Sequence, residues 1–313
     1  MNWLNHTKSL NLDPAEVDLD DDTYLVPNYS DLPPLIASIE KLGMINTPVV
    51  QENSDGCLRP LLGRRRLQAS VALGIDSLEV HVVPPDMPVR EGFLLAFWDN
   101  YSHRPFDEAC TAVIVRKLLD LFPRDFVAAE FLPLLGVHPR GPRLEQLRAV
   151  GTLDREMLSA LACRQIHEKT AAILAECDDE GQRILFDLIQ DLGMNANKNA
   201  DLVETIVDLA VFQERPIGSF IDDKTARDIL RDRDIPRPQR AERFRDLLRS
   251  WRTPDLVEKE NRFRQWQRSL PAVPGVVIRH TKAFEDDHCK IEISARSREE
   301  VEIIVAAIRE KLI

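Results

Sequence analysis

The sequence predicts a multidomain α+β protein with an α/β N-terminal domain, an all-α middle domain and a small ββα C-terminal domain. Strand-like and helical segments alternate over residues 24–83, whereas residues 90–212 show almost wholly helical periodicity. Strand alternation returns only at residues 274–295, before a last amphipathic helix. A chain of 313 residues is long enough for two or three such domains.

The first domain begins with an amphipathic helix and continues with short strands. Leu35, Ile36, Ile39 and Leu42 lie at helical spacing, and Gly43 ends the helix. The elements that follow are a strand at residues 47–51, a turn at 53–56, a strand at 58–62, a helix ending at Gly74 and a strand at 78–83.

Charge is segregated along the chain. The formal net charge is −11, yet residues 224–268 hold 14 Lys and Arg against 8 Asp and Glu. An acidic total argues against a simple nucleic-acid coat protein, because phosphate binding needs local positive charge. The basic segment has two interpretations. Its arginines contact DNA backbone, or they are the solvated face of an amphipathic helix whose core includes Phe244, Leu248 and Trp251.

Composition also excludes several classes of protein. No run of about 18 apolar residues is present, so no membrane-spanning helix is expected. The N-terminus lacks the basic start and apolar core of a secretory signal. The five cysteines are scattered without a CxxC pair, which argues against a zinc site or a disulfide framework and favours a reduced cytoplasmic setting.

The most informative feature is a strand that runs straight into Gly63-Arg64-Arg65-Arg66 and then into a helix. A glycine at such a turn lets a ligand approach the backbone. The helix N-terminus offers free N–H groups, and arginines add forked donors. Cations at a helix N-terminus oppose the helix dipole, so solvated arginines explain this arrangement poorly. The pattern predicts a phosphate-binding site.

This stretch, LIASIEKLGMINTPVV followed by LRPLLGRRRLQASVALGIDSLEVHVV, resembles the N-terminal domain of ParB-type chromosome and plasmid partition proteins. Gly63, Arg65, Arg66 and Ala69 match the family's Gly-x-Arg-Arg-x-x-Ala motif position by position. DNYSHRPFDEA is similar to its Glu-Asn-x-Gln-Arg box, and LLGVHPRGPRLEQLRAV to its helix-turn-helix. The end of the chain resembles its C-terminal dimerisation module. The resemblance covers residues 24–212 and 262–313.

The resemblance makes the first domain ParB/sulfiredoxin-like, and the prolines at positions 84, 85 and 88 mark its end. The carboxylate run at residues 18–22 is expected to be solvated. The predicted segments are a flexible acidic arm at residues 1–22, a nucleotide-binding domain at 23–90, a helical DNA-binding domain at 91–215, a basic helical linker at 216–268 and a ββα dimerisation module at 269–313.

The resemblance implies a nucleotide-gated DNA clamp that binds CTP with magnesium, dimerises around DNA and hydrolyses CTP slowly. Carried over to this chain, Asp99 and Asn100 would face the magnesium ion or the attacking water. Asp99 replaces a glutamate, and magnesium accepts either carboxylate. The implied nucleotide-binding positions are Gly43, Thr47, Pro48, Gly63, Arg64, Arg65, Arg66 and Arg104, of which Arg64 stands where the family commonly has glutamate.

Other functions of this fold stay open. Sulfiredoxin shares it, but its reactive cysteine lies in the phosphate loop, where this chain has only arginine, and Cys57 lies before the strand. A small-molecule kinase or a nuclease would use the same phosphate cradle. A DNA-bound adaptor that has lost nucleotide binding is the third alternative.

The helix-turn-helix is predicted from residues 126–137, in which Gly136 suits the turn and Pro133 is expected to kink or shorten the first helix. A three-helix structural core with surface arginines is the alternative. The predicted recognition helix offers donors suited to base edges at His138, Arg140, Arg143, Gln146 and Arg148.

The last module has little core of its own. Its second strand alternates Cys289, Ile291 and Ile293, and its helix opens with Ser297 as N-cap. A hairpin and one helix bury little apolar surface, so pairing with a second copy through residues 269–313 is expected. The expected partners are DNA and this second copy, at the nucleoid in the cytoplasm. A partition ATPase is a further candidate that the sequence leaves open.

Overall fold

The structure of the chain is a computed structural model that describes residues 7–138, 142–271, 273–280 and 289–312. Within these residues it contains six strands and fifteen α-helices, which confirms the predicted α+β class. Two compact units are formed. The first holds Met1–Ile189 and Asn195–Ala200, and the second holds Gln190–Met194 and Asp201–Ile313.

The first unit opens with a four-stranded sheet of order β1-β4-β2-β3. Strand β4 pairs antiparallel with β1 and parallel with β2, and β2 pairs antiparallel with β3. The last three strands lie where periodicity predicted them. The strands are β1 (Lys8–Leu12), β2 (Val49–Glu52), β3 (Leu58–Leu62) and β4 (Leu78–Val83).

Strand β1 corrects the prediction of a flexible arm at residues 1–22 for the part that the structure describes, residues 7–22. Its Leu10 pairs with Val80 of β4, and a 3₁₀ turn at Pro14–Glu16 follows it. Leu12 and Val17 enter the hydrophobic core beside the sheet. Their burial favours the ordered segment, because apolar area removed from water contributes about 25 cal/mol per Å².

Two predicted helices of this domain are confirmed. Helix α1 (Pro33–Leu42) precedes β2 and ends at Gly43, and helix α2 (Arg64–Ala72) links β3 to β4. Leu67 and Ala69 of α2 are fully buried. The apolar side of α2 therefore fixes its N-terminus at the end of β3.

A helical region follows within the same unit and continues beyond it. Helix α3 approaches Tyr24 closely at Gly92, where a Cβ atom would lie 2.5 Å from the tyrosine ring. The helices are α3 (Val89–His103), α4 (Glu108–Leu121), α5 (Arg124–Glu130), α6 (Arg143–Val150), α7 (Arg155–Ala162), α8 (Glu168–Glu176), α9 (Asp179–Leu192) and α10 (Ala196–Phe212).

The second unit contains the basic segment and the ββα module. Phe244 and Leu248 are buried, as the amphipathic interpretation expects, and the buried Arg240 pairs with Asp191 at 3.0 Å. Among the described residues, no helix is both long and apolar enough to cross a membrane. The remaining elements are α11 (Gly218–Ile221), α12 (Lys224–Arg231), α13 (Arg237–Arg252), α14 (Pro254–Ser269), β5 (Val276–His280), β6 (Cys289–Ile293) and α15 (Arg298–Leu312).

Candidate functional site

The N-terminus of α2 is built around Gly63. This N-cap residue has φ +81° and ψ 25°, a left-handed conformation that favours glycine. A Cβ atom here would lie 2.9 Å from Nε of Arg66, so the glycine also makes room for that guanidinium. In the described part of the chain no side chain caps α2. Its first turn therefore presents backbone N–H groups and arginine side chains together.

Arg65 and Arg66 reach the two loops that flank α1. Arg65 donates from Nη1 to Oγ of Ser30 at 2.7 Å and from Nη2 to the carbonyl of Asp31 at 2.6 Å. Arg66 donates from Nη1 to the carbonyl of Asn46 at 2.6 Å. The two guanidinium groups thus link the first turn of α2 to the chain before and after α1.

The C-terminal part of α3 forms the second half of the site. Burial lowers the pKa of Arg65, and the positive charge of Arg104 adds to this effect. Burial also lowers the pKa of Arg66, and the carboxylate of Asp99 opposes the shift. Arg65 is thus within electrostatic range of Arg104 and of the Asp31 carboxylate, and Arg66 is within range of the Asp99 carboxylate.

Asn100 and Arg104 are bonded within the chain. Nε of Arg104 donates to Oδ1 of Asn100 at 3.3 Å, and Nδ2 of Asn100 donates to the carbonyl of Ala96 at 2.9 Å. Nη2 of Arg104 also donates to the carbonyl of Pro27. The amide of Asn100 thus orients Arg104.

Gly43, Thr47 and Pro48 lie in the loop that supplies the Asn46 carbonyl. Gly43 has φ +76°, which lets the chain turn after α1. The carbonyl of Pro48 accepts a hydrogen bond from the backbone N–H of His81 at 2.9 Å, which ties this loop to β4. The structure therefore brings all three predicted positions to the same loop as the acceptor of Arg66.

Arg64 differs from the sequence prediction. Its Nη1 donates to the carbonyl of Leu19 at 2.6 Å, and its Nη2 donates to the carbonyl of Asp21. These backbone acceptors hold the guanidinium of Arg64 beside residues 19–21. It therefore does not lie with the guanidinium groups of Arg65 and Arg66, which contact the loops around α1. Of the carboxylates nearby, Asp18, Asp20 and Asp22 are exposed, as expected, whereas Asp21 is half-buried.

The region predicted as a helix-turn-helix lies in the first unit, and its helices have other bounds than expected. Helix α5 ends at Glu130, so Pro133 lies beyond the helix, which agrees with the expected shortening and not with a kink. Gly136 has φ +66° in the turn, as expected. Helix α6 begins at Arg143 rather than at residue 138, because Pro142 is its N-cap and its ring cannot lie inside a helix. His138 precedes this helix, and Arg140 lies outside the described residues.

The arginines of α6 are paired with carboxylates of the same unit. Nη2 of Arg143 lies 2.6 Å from Oε1 of Glu108, and its Nη1 pairs with Glu168. Arg148 pairs with a carboxylate of α4 at 3.7 Å. Gln146 is exposed. Contact with DNA would require these arginines to exchange carboxylate partners for phosphates.

Several partners were missed by sequence reasoning. Ser30, Asp31 and Asn46 bind the arginines mainly through backbone carbonyl groups, which leave no side-chain signal in the sequence. Lys117 of α4 was also missed. Its burial leaves little signal in the sequence, because α4 also contains Arg116 and Asp120 among its apolar residues. Among the described residues, no group of three or more His, Cys, Asp or Glu is placed to hold a metal ion.

Comparison with solved structures finds ParB proteins. One is C-terminally truncated chromosome-partitioning ParB from Caulobacter crescentus with CTP-γ-S (16% identity, TM-score 0.27, 58% of this chain and 98% of that chain). A second is the same protein on the centromeric parS site (12%, 0.30, 62% and 98%). A third is a pNOB8-like ParB N-domain (15%, 0.33, 82% and 96%). No protein-family profile and no curated protein matches the chain.

The resemblance to ParB that the sequence motifs indicated is thus found again among solved structures. The identities and TM-scores are low, so no residue role is transferred from these structures.

Proposed function

We propose that the chain is a ParB-like DNA-binding protein that acts as a CTP-gated dimeric clamp in DNA partition or related DNA organisation, at the nucleoid. The observation that carries the nucleotide part is the grouping of Arg65 and Arg66 at the N-terminus of α2 with Asp99 of α3 and with Arg104, which directly follows α3. Guanidinium groups and free helical N–H groups favour a polyphosphate.

Magnesium fits this arrangement through Asp99. The ion commonly takes one or two protein carboxylates and completes its shell with substrate phosphates and water. Asp99 is half-buried and close enough to Arg66 to affect its pKa. When bound, magnesium would neutralise phosphate charge. Asn100 is proposed to hold Arg104 in place, since its amide already bonds that side chain.

DNA binding is proposed for α6, with Gln146 exposed and Arg143 and Arg148 released from their carboxylates. The second copy is proposed to bind the ββα module. Ile291 and Ile293 of β6 are 49% and 40% exposed. Covering these apolar side chains with the same face of another copy would remove them from water.

Calorimetry tests the nucleotide proposal directly. CTP, ATP, GTP and UTP would be titrated with magnesium into the wild-type chain and into Arg65→Ala. We expect selective binding of CTP and a loss of at least about tenfold in the variant, since one charge-assisted contact contributes ~1.5–3 kcal/mol. Arg90→Ala is the matched control, because this exposed arginine lies at the other end of α3.

The other outcomes identify the alternatives. ATP-selective binding with turnover of a small molecule would establish a kinase, and cleavage of DNA would establish a nuclease. DNA binding without any nucleotide effect would establish an adaptor. Equal CTP affinity in Arg65→Ala and Arg90→Ala would show that Arg65 does not take part in nucleotide binding.

A further inference from the structure

Residues 18–23, here named the acidic strap, are held from α2 by Arg64. The two terminal nitrogens of Arg64, Nη1 and Nη2, donate to the carbonyls of Leu19 and Asp21, respectively. Within the strap, Oδ1 of Asp21 also accepts a hydrogen bond from the backbone N–H of Thr23 at 2.8 Å. Burial lowers the pKa of Arg64, and the carboxylates of Asp21 and Asp22 oppose the shift.

The other end of the acidic strap is held from α4 by Lys117. The ammonium donates to the carbonyl of Asp22 and, at 3.3 Å, to the carbonyl of Thr23. Lys117 is only 8% exposed, and its Nζ lies 6.0 Å from the ring centroid of Phe93. A buried ammonium without acceptors costs much free energy, so the strap carbonyls stabilise the lysine as much as it stabilises them.

A third cation completes the arrangement. Nη1 of Arg59 in β3 donates to Oγ1 of Thr23 at 3.3 Å and lies 3.9 Å from Oδ2 of Asp21. The acidic strap is therefore bound by side chains from the sheet, from α2 and from α4. The segment is a structural connector of the first unit through its backbone carbonyls and Thr23, whereas the carboxylates of Asp18, Asp20 and Asp22 are exposed, as expected.

We propose that the acidic strap is a strut that positions the phosphate-binding turn against α4, with Arg64 as a positioning residue. Arg64 directly precedes Arg65 and Arg66, so holding its side chain holds the turn from which both project. Lys117 holds the far end of the strut. The consequence for ligands rests on the proposed nucleotide function. Nucleotide binding at Arg65 and Arg66 should order the strap, and an ordered strap should raise the affinity for nucleotide. The two effects are equal in size, because thermodynamic coupling between two sites is reciprocal.

The strut has a test that needs no nucleotide. Lys117 is protected by the strap, so its acetylation by acetic anhydride, followed by mass spectrometry, reports whether the strap is in place. We expect Arg64→Ala to raise the rate at Lys117 by about tenfold, a coupling of ~1.4 kcal/mol. Arg65→Ala is the matched control. It removes the neighbouring guanidinium, which donates to the loop before α1 and not to the strap. Lys117 should therefore stay protected in this variant. Equal rates in wild type and Arg64→Ala would overturn the proposal.

A second measurement tests the coupling to nucleotide. Lys117→Met should weaken CTP binding by about fivefold or more, although Lys117 makes none of the contacts of the cradle. Lys198→Met removes the same charge from an exposed position of the same unit and should have no effect. Full CTP affinity in folded Lys117→Met would refute the coupling.

If Lys117→Met does not fold, the coupling between nucleotide and strap is tested by hydrogen exchange of the strap amides in the wild-type chain. CTP with magnesium should slow exchange of the amides at residues 19–23, and an unchanged rate refutes the coupling. If the wild-type chain binds no nucleotide, the proposed function fails, while the acetylation rates still decide whether the strut exists.

Discussion

Arg65 and Arg66 are adjacent in sequence, yet they hold opposite ends of α1. Arg65 donates to the carbonyl of Asp31 before this helix, and Arg66 donates to the carbonyl of Asn46 after it, each at 2.6 Å. A phosphate group that engages these arginines competes with backbone acceptors, so its affinity reflects a difference between two sets of hydrogen bonds. The loops at both ends of α1 are therefore part of the site.

Gly63→Ala should weaken nucleotide binding beyond its effect on stability. Alanine is strained at φ +81°, by about 1–2 kcal/mol, and its Cβ would also displace the guanidinium of Arg66. Gly74→Ala is the matched control, because Gly74 has φ +66° but no atom within 4 Å of its Cβ position. Calorimetry should show at least about tenfold weaker CTP binding for Gly63→Ala alone. Similar CTP affinities in the two folded variants would contradict the role of Gly63.

Local patterns predicted most of the elements but not their long-range pairing. Strands β3 and β4 and helix α1 were predicted because periodicity and glycine stops lie within each segment. Strand β1 was not, because the polar segment that contains Ser9 and Asn11 becomes a strand only by pairing with the distant β4. Its position depends on tertiary contacts that a local pattern does not contain.

The same distinction applies to the candidate site. Gly63, Arg65 and Arg66 were predicted because a glycine before arginines at a helix start has a local physical meaning. The contact of Arg64 with the Leu19 carbonyl was not predicted, since every residue carries a carbonyl group. The ion pair of Arg143 with α4 depends on how two helices pack, which spacing along one helix does not reveal.

Glu168→Gln should tighten DNA binding by α6. The substitution removes one of the two carboxylates that pair with Arg143, so less interaction is lost when the arginine moves to a phosphate. Because partly exposed ion pairs contribute ~0.2–1 kcal/mol, we expect about two- to fivefold higher affinity. Fluorescence anisotropy with a labelled duplex at several salt concentrations measures both affinity and salt slope. Glu176→Gln, at the exposed end of the same helix, should bind like wild type.

The DNA prediction has a clear failing outcome. Arg143→Ala should reduce the salt slope by about one unit for the phosphate contact that it loses. If Glu168→Gln and Arg143→Ala both bind DNA like wild type, with unchanged slopes, then α6 is not the DNA-binding helix. The three-helix structural core would then be the better interpretation of this region.

Cys110 should contribute a stability that is lost at high pH. Burial raises the pKa of its thiol from 9.0 to about 12, and the nearby Arg104 opposes this shift. The folded state therefore keeps a proton that the unfolded state loses above pH 9.0. The stabilisation is complete below pH 9.0 and disappears as the pH rises toward about 12.

Urea unfolding of wild type and Cys110→Ala at pH values from about 8 to 10 tests this sign. The advantage of wild type in free energy of unfolding should narrow by up to ~1.4 kcal/mol per pH unit once the unfolded thiol ionises. Cys163→Ala, which removes an exposed thiol, is the matched control for the loss of a cysteine. A constant difference between wild type and Cys110→Ala would show that the Cys110 thiol ionises equally in both states.

Ile291→Glu should dissociate the proposed dimer without unfolding the chain. Ile291 is 49% exposed in the described residues, so the isolated module tolerates a charge there. In an isologous two-fold interface the same face meets itself, so two glutamates would face each other after their desolvation. Sedimentation equilibrium should show dimeric wild type and monomeric Ile291→Glu. Val211→Glu, on α10 and 76% exposed, should remain dimeric. If wild type is a monomer at micromolar concentration, or if Ile291→Glu remains a dimer, the exposed face of β6 does not form the interface.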